Sequence, residues 1–176
     1  GAYSALCASA IRKVDGVIAL SSPTNPSSVL TAISSFFLPK LITYFMKPFF
    51  YIIGFFLYGS KGNLDASKCA SMSNTPILLI HGDKDSMVPI SMSAFQHSEG
   101  PKVRKFLAKG KCHNPYNTEK AEQCLHQLQA KLQLPPKKQI ESKEYFQNFD
   151  YKAATEEDLN VMNIILDFIE QNSHGN

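Results

Sequence analysis

Asp85 and His113 are the residues of this chain whose types and surroundings could move a proton in concert. Asp85 lies in Ile80-His81-Gly82-Asp83-Lys84-Asp85-Ser86-Met87-Val88-Pro89, and His113 in Lys109-Gly110-Lys111-Cys112-His113-Asn114. A carboxylate that accepts a hydrogen bond from one imidazole nitrogen fixes the tautomer and stabilises the imidazolium, so the other nitrogen can serve as a general base. That is two thirds of a charge-relay triad, in the order acid, then histidine. Asp83 and Asp85 could each be a plain turn aspartate, since aspartate in a turn often bonds its own backbone; the histidine downstream favours a functional Asp85. Pro115 biases Asn114 away from helix and keeps the imidazole in a loop. His81, at a strand end before Gly82, reads as a packing or hydrogen-bonding residue. His97, His126 and His174 have no acidic partner in a motif and read as surface.

The elements that must position this pair follow from hydrophobic pattern. Val17-Ile18-Ala19-Leu20 and Pro76-Ile77-Leu78-Leu79-Ile80 are continuous apolar runs, the mark of strands covered on both faces. Val103 to Leu107 alternates in part and reads as a third strand nearer the sheet edge. Residues 2–12 are small and apolar nearly all round and predict a buried helix. Residues 27–59 predict two helices broken near Pro39, with Pro48 as a second break or kink, and residues 60–75 a polar loop. A helix is expected over Ile90 to Ser98. Another, capped by Asn117, is expected to run to about Leu132 with Ala121, Cys124, Leu125, Leu128 and Leu132 on one face. Residues 133–152 read as an excursion of uncertain structure. Thr155-Glu156-Glu157-Asp158 signals the start of a last helix carrying Leu159, Met162, Ile165, Leu166 and Ile169. Such alternation gives an α/β fold with a parallel sheet and right-handed crossovers. Asp85 and His113 would then meet above the ends of adjacent strands, where parallel sheets bind ligands.

At 176 residues the chain is long enough for one domain with a core, and 44% hydrophobic residues against 19% charged suit a globular protein. A net charge of +3, from scattered lysines without interleaved aromatics, gives no ground for a nucleic-acid partner. Cys7, Cys69, Cys112 and Cys124 form no C-x-x-C pair and no zinc-spaced cluster. Cys7 and Cys124 fall on apolar helical faces, so free thiols in a reduced, cytoplasmic compartment are expected. Neither metal nor cofactor is expected. The uncharged stretch Pro48 to Ser60 is shorter than the roughly 20 residues a spanning helix needs, so a buried or lid helix is expected there.

On these residues the chain resembles the C-terminal half of an α/β-hydrolase. The matching features are Gly1-Ala2, the strand Val17 to Leu20, the motif His81-Gly82-x-x-Asp85-x-x-Val88-Pro89, and Gly110-x-x-His113-Asn114. They span most of residues 1–132, together with the C-terminal helix. The resemblance implies a serine nucleophile on a sharp strand-to-helix turn, followed in the chain by acid and histidine. Asp85 and His113 match the acid and the general base, and Gly1 matches the last glycine of Gly-x-Ser-x-Gly. The serine would lie upstream, since Ser4 falls within the helix after the turn. The expectation is a single truncated domain, with a three-stranded remnant of the parallel sheet and residues 24–72 as a helical cap. The full-length parent would be an ester or acyl hydrolase, and this chain by itself inactive.

The cap segment is dense in rings: Phe36, Phe37, Tyr44, Phe45, Phe49, Phe50, Tyr51, Phe55, Phe56 and Tyr58. They could line an apolar acyl pocket, face a membrane, or cover the sheet. The substrate expected is a small hydrophobic or lipid-like ester; the oligomeric state is not legible. The competing reading is a non-catalytic binding protein that keeps a hydrolase-like shell.

Overall fold

The continuous apolar runs form the strands. In the computed structural model, which describes residues 1–59, 63–135 and 143–173, β1 is Val17–Leu20, β2 is Ile77–Gly82 and β3 is Val103–Ala108. They make a parallel sheet in the order β1-β2-β3, with Val17 opposite Ile77 and Ile77 opposite Val103. β2 is central and buried along its whole length, as a strand covered on both faces must be, whereas β3 leaves several side chains exposed at the sheet edge. Flanking helices complete an α/β architecture.

The chain reads as one domain in sequence and divides in structure into two compact units, Gly1–Pro115 with Ile164–Asn176, and Tyr116–Asn163. The first holds the sheet. Its core joins Leu6 and Cys7 from α1 (Ala2–Ser9), Val17 and Ala19 from β1, Ile77 and Leu79 from β2, and Ala94 from a short helix after β2. The opening helix is not buried all round: Leu6, Cys7 and Ser9 are buried, but Ala5 and Ala8 are exposed. Small apolar residues alone cannot say how many sides a helix covers; α1 packs on β1 and on α4 (Ala66–Met72).

That packing fixes the direction of α1. Tyr3 Oη, near its start, donates to the Leu64 carbonyl ahead of α4 (3.0 Å), and Ser73 Oγ, just past α4, donates to the Ser9 carbonyl at the end of α1 (3.0 Å). The two helices run side by side in one direction, and Ser73 leads into the start of β2. The beginning of α1 therefore lies toward the edge where the strands end.

The segment between β1 and β2 holds a helical hairpin, α2 (Pro26–Phe37) and α3 (Lys40–Tyr58), followed by α4. Asn25 caps α2 by accepting the Ser28 N–H (2.9 Å), and Pro26 sits in the first turn, where its missing N–H costs nothing. Pro48 does not end α3, so of the break or kink expected there the break is absent. It lies on the exposed side of the helix, so the carbonyl one turn back that it leaves without an N–H partner also faces outward. Within the segment expected to be loop, Asp65 caps α4 by accepting from Ser67 N (2.9 Å) and Lys68 N (3.3 Å). The base of the hairpin is tied to the segment after β2, where Thr24 N donates to Met92 O (3.0 Å) and Ala94 N to Ser22 O (2.8 Å), and to the start of α4, where Ala66 N donates to Thr24 O (2.7 Å).

The helix expected over Ile90 to Ser98 is realised as a tight turn, Ile90–Met92, and α5 (Ala94–His97), split at Ser93, whose hydroxyl caps α5. In the second unit α6 (Glu119–Leu132) is capped by Thr118, not Asn117: Thr118 Oγ1 accepts the Ala121 N–H (3.1 Å). α6 packs on α8 (Tyr151–Ala154), with α7 (Lys143–Gln147) preceding it. These short helices occupy the described part of the excursion over 133–152. The last helix, α9 (Leu159–Ser173), buries Val161 and Phe168 rather than the expected stripe; Leu159, Leu166 and Ile169 are exposed. Apolar residues occur on both faces of α9, so periodicity alone places the stripe a position or two away from the buried one.

Candidate functional site

Each member of the site hangs from the end of a strand. β2 ends at His81-Gly82, and the chain turns through Asp83 and Lys84 to Asp85, whose N–H donates to the Gly82 carbonyl (3.2 Å). β3 ends at Ala108 and turns through Gly110, which adopts the left-handed conformation (φ 77°) that favours glycine. The two loops are stitched together. Asp83 N donates to Ala108 O (3.3 Å), Lys84 N to Lys111 O (2.9 Å), and Gly110 N to Asp83 Oδ1 (2.6 Å). A Cβ on Gly82 would fall inside the carbonyl oxygens of Lys111 and Cys112. Glycine at 82 lets the second loop cross the first, and the crossing carries His113 over Asp85.

The crossing brings the pair into contact: His113 Nδ1 lies 2.9 Å from Asp85 Oδ2. The Asp85 side chain is fully buried, while that of His113 is 34% exposed. Asp85 Oδ1 accepts the N–H groups of Met87 and Val88, each at 2.9 Å. The carboxylate is therefore held by two amides on one oxygen and by an imidazole on the other. Burial pushes the Asp85 carboxyl up, but the His113 hydrogen bond, the Val88 amide and the nearby imidazoles outweigh it and hold the carboxyl below its ordinary value. It stays ionised and accepts from His113, which puts the proton on Nδ1 and leaves Nε2 as the nitrogen for chemistry.

His81 lies beneath this pair. It is wholly buried and tilted against the Phe95 ring, with centroids 5.9 Å apart. Nε2 donates to the Val88 carbonyl (2.9 Å) and stands 3.6 Å from Asp85 Oδ2. Nδ1 is then the bare nitrogen of the neutral ring, and it is buried with no hydrogen-bond partner among the described residues. Burial lowers the basicity of His81 more than the Val88 carbonyl and the Asp85 charge raise it. A neutral His81 braces the turn that carries Asp85, in keeping with its expected packing role.

The two aspartates of the turn have separate tasks: Asp83 ties the loops, and Asp85 meets the histidine. His97 Nε2 bonds the Ser91 carbonyl (2.8 Å) at the surface. His126 is exposed, as expected, yet has an acidic neighbour one turn back, Glu122, at 3.7 Å. His174 lies outside the described residues. Among the described residues no disulfide joins any of the four cysteines; Cys7 is buried and Cys124 only half-buried. Burial and its neighbours Cys69 and Asp65 push the Cys7 thiol up to about 12, so it is an inert core thiol.

One residue at this edge of the sheet carries no sequence signal. Ser21, directly after β1, has φ 48°, a conformation costly for a side chain with a Cβ. It is 3% exposed, and its hydroxyl finds no hydrogen-bond partner among the described residues. Serine in Ser21-Ser22-Pro23 reads as an ordinary turn former, and only the backbone angle marks it out.

Compared with family models and with curated proteins, the chain matches none.

Proposed function

We propose that Asp85 and His113 are the acid and the general base of a serine hydrolase of the α/β-hydrolase kind, acting on a hydrophobic ester or acyl substrate. The observation that carries this reading is the 2.9 Å contact between His113 Nδ1 and a buried, doubly anchored Asp85 carboxylate. A surface pair would not keep its acid dry and fix both of its oxygens. Three further features support it. Acid and histidine follow successive parallel strands in the order such hydrolases use. The start of α1 lies toward the same edge of the sheet, where a strand-to-helix turn would present a nucleophile. The aromatic hairpin also departs from that edge, its base bonded to the segment after β2.

In this mechanism the serine precedes Gly1 in a longer chain. His113 Nε2 takes the proton from the serine hydroxyl as its oxygen attacks the substrate carbonyl carbon. Asp85 keeps the imidazole in the Nδ1–H tautomer and stabilises the imidazolium that forms. The imidazolium then protonates the departing alkoxide, the carbon–oxygen bond breaks, and an acyl-serine remains. His113 next deprotonates a water that attacks the acyl carbon, and the serine recovers its proton. Neutral His81 leaves His113 as the imidazole that cycles its charge.

The test is fluorophosphonate labelling of a chain that carries Gly-x-Ser-x ahead of Gly1. Labelling at that serine, lost on His113→Ala and strongly slowed by Asp85→Asn, is the expected result. A folded protein that carries the serine and stays unlabelled would point to the binding-protein alternative, and labelling indifferent to His113→Ala would sink the base assignment.

A further inference from the structure

Helix α3 is covered along one narrow strip only. Thr43 and Gly54 are buried and Met46 and Phe50 half-buried, at spacings of three, four and four that keep them on one side. The row on the opposite side is Leu41, Phe45, Phe49, Ile52, Phe55 and Phe56, exposed by 48% to 81%. A helix on the surface of a globular protein places charged and polar residues opposite its buried stripe. Here that row has no charge at all, and the exposed apolar residues extend over most of a helix that runs from Lys40 to Tyr58.

The flank and the charge distribution say what covers it. Tyr44, Lys47 and Tyr51 form a row along one side of the apolar face, each of them exposed. Lys47 Nζ stands 5.5 Å from the centroid of the Tyr44 ring. Tyrosines with a polar tip, beside a lysine whose stem lies along apolar surface, are side chains suited to the boundary between headgroups and acyl chains. From Gly16 to Leu64 the sequence has no acidic residue, while Lys40, Lys47 and Lys61 supply positive charge. With Lys47 on its flank and no acidic residue from Gly16 to Leu64, the face is complementary to an anionic surface. A second copy of the chain would bring this basic, apolar face onto itself, with no carboxylate on it to pair with a lysine.

We propose that α3 lies in the plane of a lipid surface containing anionic lipid, its outward row of Leu41, Phe45, Phe49, Ile52, Phe55 and Phe56 sunk to the acyl boundary and Lys47 held at the headgroups. No helix among the described residues is long and apolar enough to cross a membrane, so the contact is interfacial. Pro48 agrees with that depth. The carbonyl it leaves unbonded on the outward side needs a donor, which headgroup water supplies and hydrocarbon does not. The proposal does not depend on the catalytic reading.

The 176-residue chain would be mixed with vesicles of phosphatidylcholine containing phosphatidylglycerol, or of phosphatidylcholine alone, and the bound fraction measured by flotation. The expected result is binding to the anionic vesicles that is stronger by at least about tenfold than to the neutral ones and falls off with salt. Phe45→Glu/Phe49→Glu/Phe56→Glu alters exposed positions only, so it should keep the fold by circular dichroism and lose the binding. The chain contains no tryptophan, so Phe49→Trp gives a single reporter whose emission should shift to the blue on the anionic vesicles. Asp85→Asn should bind like the parent. The proposal is overturned if the folded parent stays free of anionic vesicles, if the triple variant binds as well as the parent, or if the parent is a stable dimer that the triple variant dissociates, which would make this face a self-interface.

Discussion

Gly82 lies directly beneath the carbonyl oxygens of Lys111 and Cys112, with no room between them for a side chain. This contact, between the end of one strand and the loop after the next, holds His113 above Asp85. Gly82→Ala is expected to push that loop outward and lengthen the 2.9 Å contact between His113 Nδ1 and Asp85 Oδ2. A loss of roughly 1–3 kcal/mol is expected from the overpacking. Urea unfolding measures the loss, and the downfield proton resonance of His113 Nδ1–H reports the contact. A variant with unchanged stability and an unchanged resonance would show that the loops have other room.

The buried residues Asp85 and His81 titrate in opposite senses of charge, yet both weaken the fold as pH falls. Asp85 is held below its ordinary value of 3.8 in the folded state. Its contribution is present above that value and is lost as pH drops through the folded value, where the carboxylate must take up a proton. His81 is held below its ordinary value of 6.5. Below 6.5 the unfolded chain binds a proton that the folded protein refuses, so stability declines from that point downward. Urea midpoints measured across the acid range should show His81→Gln flattening the decline below 6.5, and Asp85→Asn flattening the part below 3.8. Variants whose slopes match the parent in both windows would remove these groups from the account.

Ser21 keeps a left-handed backbone, and no described residue bonds its hydroxyl. Glycine adopts that conformation freely. Ser21→Gly should leave stability unchanged or raise it by up to about 1 kcal/mol, whereas Ser21→Val should lower it by more than that. Thermal midpoints of the two variants decide the matter. If Ser21→Gly is clearly destabilising, the hydroxyl has a partner worth more than the strain it brings.

The sheet was legible in the sequence because a strand buried on both faces has to be written as an unbroken apolar run. Ile77 to Ile80 is such a run, in a strand buried along its whole length; Val17 to Leu20 is as unbroken, yet β1 lies at an edge of the sheet and buries only Val17 and Ala19, with Ile18 and Leu20 half-buried. The convergence of Asp85 and His113 was legible for a related reason: a carboxylate and an imidazole just past consecutive strands can meet only if those strands are parallel neighbours. Helix boundaries were less readable where a single side-chain bond decides them. Asp65 begins α4 inside a polar stretch, and Thr118 takes the cap expected of Asn117. Pro48 stays within α3 because its orphaned carbonyl faces outward, a fact about orientation that no residue type carries. Of the aromatic residues of the cap, the side chains of Phe36, Phe37 and Tyr58 lie outside the described residues; most of the others turn outward.

What the sequence determined by itself was the three-stranded parallel sheet and the meeting of Asp85 with His113, since these follow from residue type and spacing along the chain. Only the tertiary structure decided that Gly82 must be bare for the loops to cross, that His81 is buried, where its desolvation keeps it neutral, and that α3 buries one strip and exposes the opposite row. Each depends on which atoms of distant segments share the same space, and neither spacing nor composition encodes that.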